Sequence, residues 1–273
     1  MRNPFPKIGK VIKYDLMHSA KKLIPLYGVL LVLGLLTGLS ISPARFDDEM
    51  FSKNSRDWIT FTIGISYYIV ACVSAIMTIV VIARRFKQSM LEDEAYLNLS
   101  LPVTMGEHLW GKFITGFIWM FACCIVTYVS IIFCFVRLGL TDLIREFGES
   151  IPEMAAELQR YNLSFGKIFG MGIMLVFSMT SFLITLIFVV NSFGLVIKNR
   201  QGFWKFLIIV GLFYINSWIF RLVPNIDQRS ISNFELGNAL FQTFGIFSLI
   251  LILLSAVYFA VTQYMFTKQL NLD

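Results

Sequence analysis

Charged residues are scarce in this chain, and their scarcity excludes the ordinary class of water-soluble globular domains. Only 15% of the 273 residues are charged, whereas 57% are hydrophobic and 15% are aromatic. The mean hydropathy is +0.72. A soluble domain usually has about 25% charged residues and roughly half apolar residues. The composition therefore predicts an integral membrane protein.

Residue types that carry metal and thiol chemistry are also few. The chain has 4 cysteines and 2 histidines. The cysteines all fall inside long apolar runs, at Cys72, Cys123, Cys124 and Cys134. No metal-ligand spacing is present, because adjacent residues point about 100° apart on a helix. We therefore predict no metal site and interpret the cysteines as buried, unpaired thiols that pack as small hydrophobic side chains.

Two further absences limit the function. Ionisable side chains are nearly absent from the apolar runs, whereas ion-coupled carriers usually need buried carboxylates or histidines there. The sequence has no G-x-x-x-x-G-K-[ST] loop, so we do not expect it to bind ATP by itself. It also has no His-Glu-x-x-His motif and no paired carboxylates within the apolar runs. We expect neither enzymatic activity nor a cofactor on this chain.

Long apolar runs determine the predicted architecture. A helix needs roughly 20 mostly apolar residues to cross about 30 Å of hydrocarbon. Continuous runs favour helices over the alternating strands of a membrane barrel. We predict an all-α integral membrane protein, residues 1–273 forming a single transmembrane domain with six spans at 24–42, 58–83, 113–136, 168–197, 204–223 and 240–266.

The distribution of lysine and arginine predicts the orientation. Basic residues concentrate before the first span and in the connections that follow spans two and four, which places these segments on the cytoplasmic side. Both termini and the polar segment 84–112 are therefore predicted to be cytoplasmic. The formal charge of +6 reflects this bias, and no basic tract indicates nucleic-acid binding.

The N-terminal segment 1–23 has the pattern of an interfacial helix. Apolar residues recur at helical spacing on one side, while lysines occupy the other; the apolar set is Ile8, Val11, Ile12, Leu16 and Leu23. Such a helix lies in the headgroup plane and pairs its lysines with anionic lipid. We expect a turn at Pro25, since the residue before a proline disfavours helical geometry.

Span two carries a row of small and polar residues at intervals of three and four, namely Thr60, Gly64, Tyr67, Ala71, Ser74 and Thr78. The row is expected to face protein or water. Close helix packing is one interpretation; a substrate-facing wall, to which Asn216 of span five would contribute, is the other. Gly34 with Gly38, and Gly166 with Gly170, match the small-xxx-small pattern and are interpreted as packing positions.

The polar segment 84–112 is predicted to contain a short helix from Phe86 to Leu99; a solvated loop is the alternative. Its apolar positions are Phe86, Met90, Leu97 and part of Tyr96, and its acidic residues are Glu92, Asp93 and Glu94. Pro102 ends this helix. Thr104 and Glu107 then form the pattern of a capping box, which predicts a helix start that leads into span three.

This segment resembles a known family at several consecutive motifs. Arg85-Phe86, Asp93-Glu94-Ala95-Tyr96-Leu97, Leu101-Pro102-Val103 and Gly111-Lys112 occur in the order found between spans two and three of the permease subunits of export-class (type 2) ABC transporters. Ala95 stands where glycine is frequent. The motifs cover about a tenth of the chain, whose six-span plan and basic N-terminal helix also resemble the small permeases of Gram-positive bacteria.

The resemblance implies a coupling helix that binds a separate ATPase subunit, on which ATP and Mg would be held. The implied coupling residues are Phe86, Met90, Glu92, Asp93, Glu94, Tyr96 and Leu97. It also implies a second permease, as homodimer or heterodimer, and a location in the bacterial plasma membrane. Known substrates in the family range from peptides and lipids to glycans and drugs.

The external connection 137–167 is long and is predicted to be structured. Ser150 and Glu153 match a capping box, and Met154, Leu158 and Tyr161 continue one apolar face. We interpret this segment as a lid on the outer membrane surface; a solvated hairpin is the alternative.

Two other classes of function remain as alternatives to the exporter subunit. One is an accessory or resistance and immunity membrane protein that binds a peptide or lipid without ATP-driven transport. The other is an intramembrane enzyme, which the lack of catalytic residues disfavours. An ATPase that co-purifies with the chain would separate the exporter from both alternatives.

Overall fold

The computed structural model describes residues 5–40, 55–91, 104–136, 140–196, 201–221 and 233–269. The regular elements in these ranges are all helices, which confirms the all-α class for this part of the chain. In chain order they are α1 (Phe5–Ser40), α2 (Ser55–Leu91), α3 (Met105–Cys134), α4 (Leu140–Arg160), α5 (Phe165–Val196), α6 (Gln201–Phe220) and α7 (Asn233–Gln269).

Five helices are long and apolar enough to cross a membrane: Val11–Ser40, Phe61–Leu91, Met105–Cys134, Phe165–Phe193 and Gly237–Lys268. Each overlaps one predicted span, and by length and composition the chain is a multi-pass membrane protein. The predicted span 204–223 falls on α6, whose apolar part, Phe206–Phe220, is shorter than the other five. A sixth crossing therefore stays a prediction.

Helix α1 continues through Pro25, so the predicted turn at this residue is wrong. A proline removes one backbone hydrogen bond from a helix, but apolar helices tolerate it where neighbouring groups compensate. The predicted apolar stripe also differs in its surroundings. Leu23 is buried and Val11, Ile12 and Leu16 are half-buried in the protein, so these side chains pack at least partly against protein. The interfacial position of this segment stays a prediction.

Helix α2 is continuous from span two to Leu91. The sequence had indicated a span that ends near residue 83 and a separate helix from Phe86, and no such break occurs in the described part of α2. The capping box that starts α3 is confirmed. The Thr104 amide donates to Glu107 Oε2 at 2.8 Å, and the Glu107 amide donates to Thr104 Oγ1 at 3.4 Å.

The described part of segment 137–167, which was predicted to be external, is largely helical, but the predicted capping box is wrong. Helix α4 begins at Leu140, so Ser150 lies in its interior. The helix ends in a Schellman motif, in which the Leu163 amide donates to the Leu158 carbonyl at 2.9 Å. Asn162 occupies the left-handed position with a φ of 53°, a conformation that asparagine adopts more readily than most residues.

The chain divides into two compact units. Unit 1 comprises Met1–Val11, Arg85–Phe117 and Ile151–Asp273, and unit 2 comprises Ile12–Arg84 and Ile118–Ser150. In unit 2, α1 approaches α3 closely through its glycines. A Cβ on Gly34 would lie 2.6 Å from the Ser130 carbonyl oxygen, and one on Gly38 would collide with the Phe133 carbonyl oxygen. This confirms the packing interpretation for these two glycines.

Unit 1 is built around the packing of α5 against α7. Its central cluster joins Phe182 and Val189 of α5 to Leu251, Leu254 and Tyr258 of α7. At the start of α7, Gly237 lies against the Tyr161 carbonyl group, where a Cβ would collide. The Asn162 side chain donates to Asn238 Oδ1 at 3.0 Å. The turn after α4 is therefore fixed to the first turns of α7.

Candidate functional site

The last turns of α2 pack inside unit 1 through aromatic side chains. The Phe86 ring stacks on Phe188 of α5 with ring centroids 4.3 Å apart, and it meets Phe266 of α7 edge-on at 6.0 Å. Phe86 and Met90 are each only 1% exposed. In the described conformation these two predicted coupling residues contact the chain's own helices, and they present no surface to a partner.

The first turns of α3 are fixed by a capping box and by buried side chains. The capping box fixes the backbone at Thr104, while His108, Leu109 and Lys112 are buried directly after it. The described residues on either side of residues 92–103, the connector that joins α2 to α3, are therefore both held in unit 1. The other predicted coupling residues, Glu92, Asp93, Glu94, Tyr96 and Leu97, fall on this connector, outside the described residues.

The polar row on α2 makes contacts between helices of unit 2. Thr78 donates its proton to the Ser74 carbonyl at 2.7 Å, so its oxygen accepts the hydroxyl proton of Tyr27 at 2.8 Å. Likewise Ser130 donates to the Thr127 carbonyl and accepts from the Tyr67 hydroxyl at 2.9 Å.

This arrangement favours the packing interpretation of the row over a substrate-facing wall. Ser74 and Thr78 are fully buried. Gly64 has open space around its Cα, and Thr60 lies on α2 with its side chain outside the described set.

Asn216 of α6 is also engaged within the protein. The Tyr258 hydroxyl of α7 donates to Asn216 Oδ1 at 2.7 Å, and both side chains are buried. The pair links α6 to α7 in unit 1 and explains why an amide is tolerated in an apolar helix. The sequence identified Asn216 as polar within a span but could not identify its partner.

Buried hydroxyls line the face of α5 that packs in unit 1. Ser178, Ser181 and Thr185 are all buried there. Thr185 lies 3.3 Å from Ser255 of α7. The Ser181 hydroxyl has no hydrogen-bond partner among the described residues. Their helical spacing does not reveal which helix they face.

A groove between α5 and α7 was not predicted. It has a volume of about 340 Å³, and its lining residues are Gly166, Lys167, Gly170, Met171, Met174, Phe241, Phe244, Gly245 and Ser248. The packing interpretation of Gly166 and Gly170 is wrong, because a Cβ at either would meet no atom within 4 Å. The pairing of α5 with α7 creates the groove, and glycine spacing on one helix cannot reveal that pairing.

The cysteines and the possible metal ligands add no chemistry in the described ranges. All four cysteines are free. Only Cys123 is buried, whereas Cys72 and Cys124 are exposed on apolar helices, so the expectation of buried thiols is wrong for these two. No group of three or more His, Cys, Asp or Glu side chains comes together among the residues that the structure describes.

Comparison with protein-family models, with curated proteins and with solved structures finds no match for this chain.

Proposed function

We propose that the chain is the membrane-spanning permease subunit of an ATP-driven ABC exporter. One observation carries the proposal: the described residues on both sides of the connector belong to unit 1, where Phe86 stacks on Phe188 before it and His108, Leu109 and Lys112 are buried after it. Its acidic and aromatic residues are the ones that resemble an ATPase-binding segment.

Because the residues on both sides of the connector are packed in unit 1, a force on the connector would be transmitted to the helices of that unit. A displacement of residues 92–103 would act directly on the end of α2, and through Phe86 on Phe188 of α5 and Phe266 of α7. Packed interiors respond to a push as nearly rigid bodies and change between discrete arrangements. Phe86 and Met90 therefore transmit the movement, while Glu92, Asp93, Glu94, Tyr96 and Leu97 make the contact with the ATPase.

The complete assembly would hold two permeases and two ATPase subunits, with ATP and Mg on the ATPases. It would reside in a bacterial plasma membrane, with both termini of this chain on the cytoplasmic side. Alternating access follows when nucleotide binding closes the ATPase pair and shifts the population of permease states. Because Tyr67, Ser74 and Thr78 make packing contacts, the proposal places no substrate on that row.

The test is affinity purification of the chain in detergent, followed by measurement of Mg-dependent ATP hydrolysis in the eluate. The double variant Glu94→Ala with Tyr96→Ala should lose the ATPase, since truncation of an aromatic hot spot in an interface costs about 2 kcal/mol or more. The matched control is Glu153→Ala with Tyr214→Ala, which removes an exposed carboxylate and an exposed phenol on α4 and α6. The control should retain hydrolysis.

Two results would count against the proposal. Full hydrolysis in the eluate of the double variant would remove the coupling assignment from residues 92–97. An eluate of the unaltered chain without any ATPase would favour an accessory or immunity protein that binds a peptide or lipid.

A further inference from the structure

The groove between α5 and α7 has almost entirely apolar walls. Met171 and Met174 lie on one side and Phe241 and Phe244 on the other, and Lys167 and Ser248 supply the only polar side chains among the lining residues. The absence of side chains on Gly166, Gly170 and Gly245 keeps the space open. Its volume of about 340 Å³ lies at the lower end of the range for small-molecule sites.

The Lys167 ammonium group lies among the lining residues of the groove, and a backbone carbonyl group holds it in position. The Lys167 ammonium group donates to the Asn162 carbonyl at 3.0 Å. Asn162 belongs to the Schellman turn, which its own side chain ties to Asn238. An ammonium group has three donors, so two remain for a ligand.

The groove runs from the end of the span towards its middle. The apolar span of α5 begins at Phe165 and that of α7 at Gly237. At a rise of 1.5 Å per residue, Gly170 and Met174 lie about 8 Å and about 14 Å from the start of α5's span. With the hydrocarbon region taken to begin at Phe165 and Gly237, Lys167 would lie near the lipid headgroups, and the methionines and phenylalanines would reach the level of acyl chains.

We infer that this groove binds one acyl chain of an anionic phospholipid, with the phosphate on the Lys167 ammonium group. The surrounding lipid is as apolar as the groove, so burial alone gives no preference for the site. The preference comes from the flexible methionine walls, which adapt to a chain, and from the charge of Lys167. The inference does not depend on coupling to an ATPase.

The experiment uses the purified chain in phosphatidylcholine vesicles that contain a trace of phosphatidylglycerol with a photoreactive group in its acyl chain. After illumination, mass spectrometry locates the adducts. We expect them on residues 165–175 and 240–249. Lys167→Gln should lower the preference for this probe over a photoreactive phosphatidylcholine about fivefold, which corresponds to about 1 kcal/mol for one lysine near an anionic surface.

Matched glycine variants test the groove itself. Gly170→Leu fills the space and should abolish the adducts, whereas Gly172→Leu, on the same helix but outside the groove lining, should leave them unchanged. Neither position has an atom within 4 Å of a Cβ, so both variants are expected to fold. Gly245→Leu closes the groove from α7 and replaces Gly170→Leu if that variant gives too little protein.

Three results would overturn the inference. Adducts spread evenly over all exposed spans and insensitive to Gly170→Leu would indicate ordinary surrounding lipid. An unchanged headgroup preference in Lys167→Gln would remove the role of the cation. Stronger labelling by a photoreactive free fatty acid than by phosphatidylglycerol would identify a carboxylate amphiphile as the occupant instead of a phospholipid.

Discussion

At the scale of single residues, tyrosines make the hydroxyl contacts between helices in unit 2. Most buried serines and threonines donate to a carbonyl three or four residues earlier in their own helix, as Thr78 does to Ser74. A hydroxyl has one proton, so its oxygen then only accepts. Tyr27 and Tyr67 reach across and supply the missing donors to Thr78 and Ser130.

The Tyr27 contact gives the residue-scale prediction. Tyr27→Phe should lower the free energy of unfolding by about 1 kcal/mol, since hydrogen bonds within membranes contribute about 0.6 kcal/mol on average and up to about 2 kcal/mol. Tyr68→Phe is the control, because Tyr68 is 69% exposed. Thermal unfolding of both variants in one detergent gives the comparison. Equal midpoints would mean that the Tyr27 hydroxyl contributes nothing.

At the scale of helices, the same sequence pattern gave one correct and one wrong helix start. Thr104-x-x-Glu107 caps α3, whereas Ser150-x-x-Glu153 lies inside α4. The two sites differ in the residues that precede the capping pattern. Pro102 precedes Thr104, while Leu140 to Gly148 can already form helical turns before Ser150. A capping pattern satisfies free amides only where no earlier turn has used them.

The candidate coupling segment shows a second limit of sequence reasoning. Phe86 and Met90 have the spacing of an exposed amphipathic helix, and the structure buries both. Their partners, Phe188 and Phe266, lie on α5 and α7, far away along the chain. Helical periodicity identifies an apolar face but does not say whether that face meets another subunit or the same chain.

The glycines of α1 give the element-scale prediction. Gly38→Ala should destabilise the protein by about 1–3 kcal/mol, because its methyl group collides with the backbone at Phe133 and a backbone carbonyl cannot rotate away. Gly28→Ala, on the same helix, meets no atom within 4 Å. It should be neutral or stabilising by up to about 1 kcal/mol through helix propensity.

Unfolding midpoints of the two alanine variants, each compared with the unaltered chain, provide the measurement. A Gly38→Ala protein as stable as Gly28→Ala would show that α1 and α3 separate readily at this position.

At the scale of the whole molecule, the number of crossings decides on which side each connection lies. Five helices are long enough to span, while α6 has a shorter apolar part. If α6 crosses, Lys13 and Thr267 share a side and Glu153 lies opposite. An α6 that does not cross would put Thr267 with Glu153, which conflicts with the contact between the start of α7 and the turn before α5. The orientation itself rests on the lysine and arginine bias.

Single cysteines in a cysteine-free background test this arrangement with a membrane-impermeant thiol reagent on intact cells. Glu153→Cys should react, and Lys13→Cys and Thr267→Cys should react only after the membrane is permeabilised. All three positions are exposed, so access to the reagent depends on the side of the membrane. Reaction of Thr267→Cys in intact cells would show that α6 does not cross, and reaction of Lys13→Cys would reverse the orientation.

Pro25 has a consequence for how α1 exchanges its amide protons. The helix continues through this residue, but proline has no N–H, so the Lys21 carbonyl has no donor four residues later. Local unfolding that starts at Phe5 therefore reaches the absent hydrogen bond at Pro25 before it reaches Gly34 and Gly38. The backbone amide protons before Pro25 would therefore exchange with solvent deuterium faster than the amide protons after it. We therefore expect the turns before Pro25 to unfold and refold locally without disrupting the contact between α1 and α3.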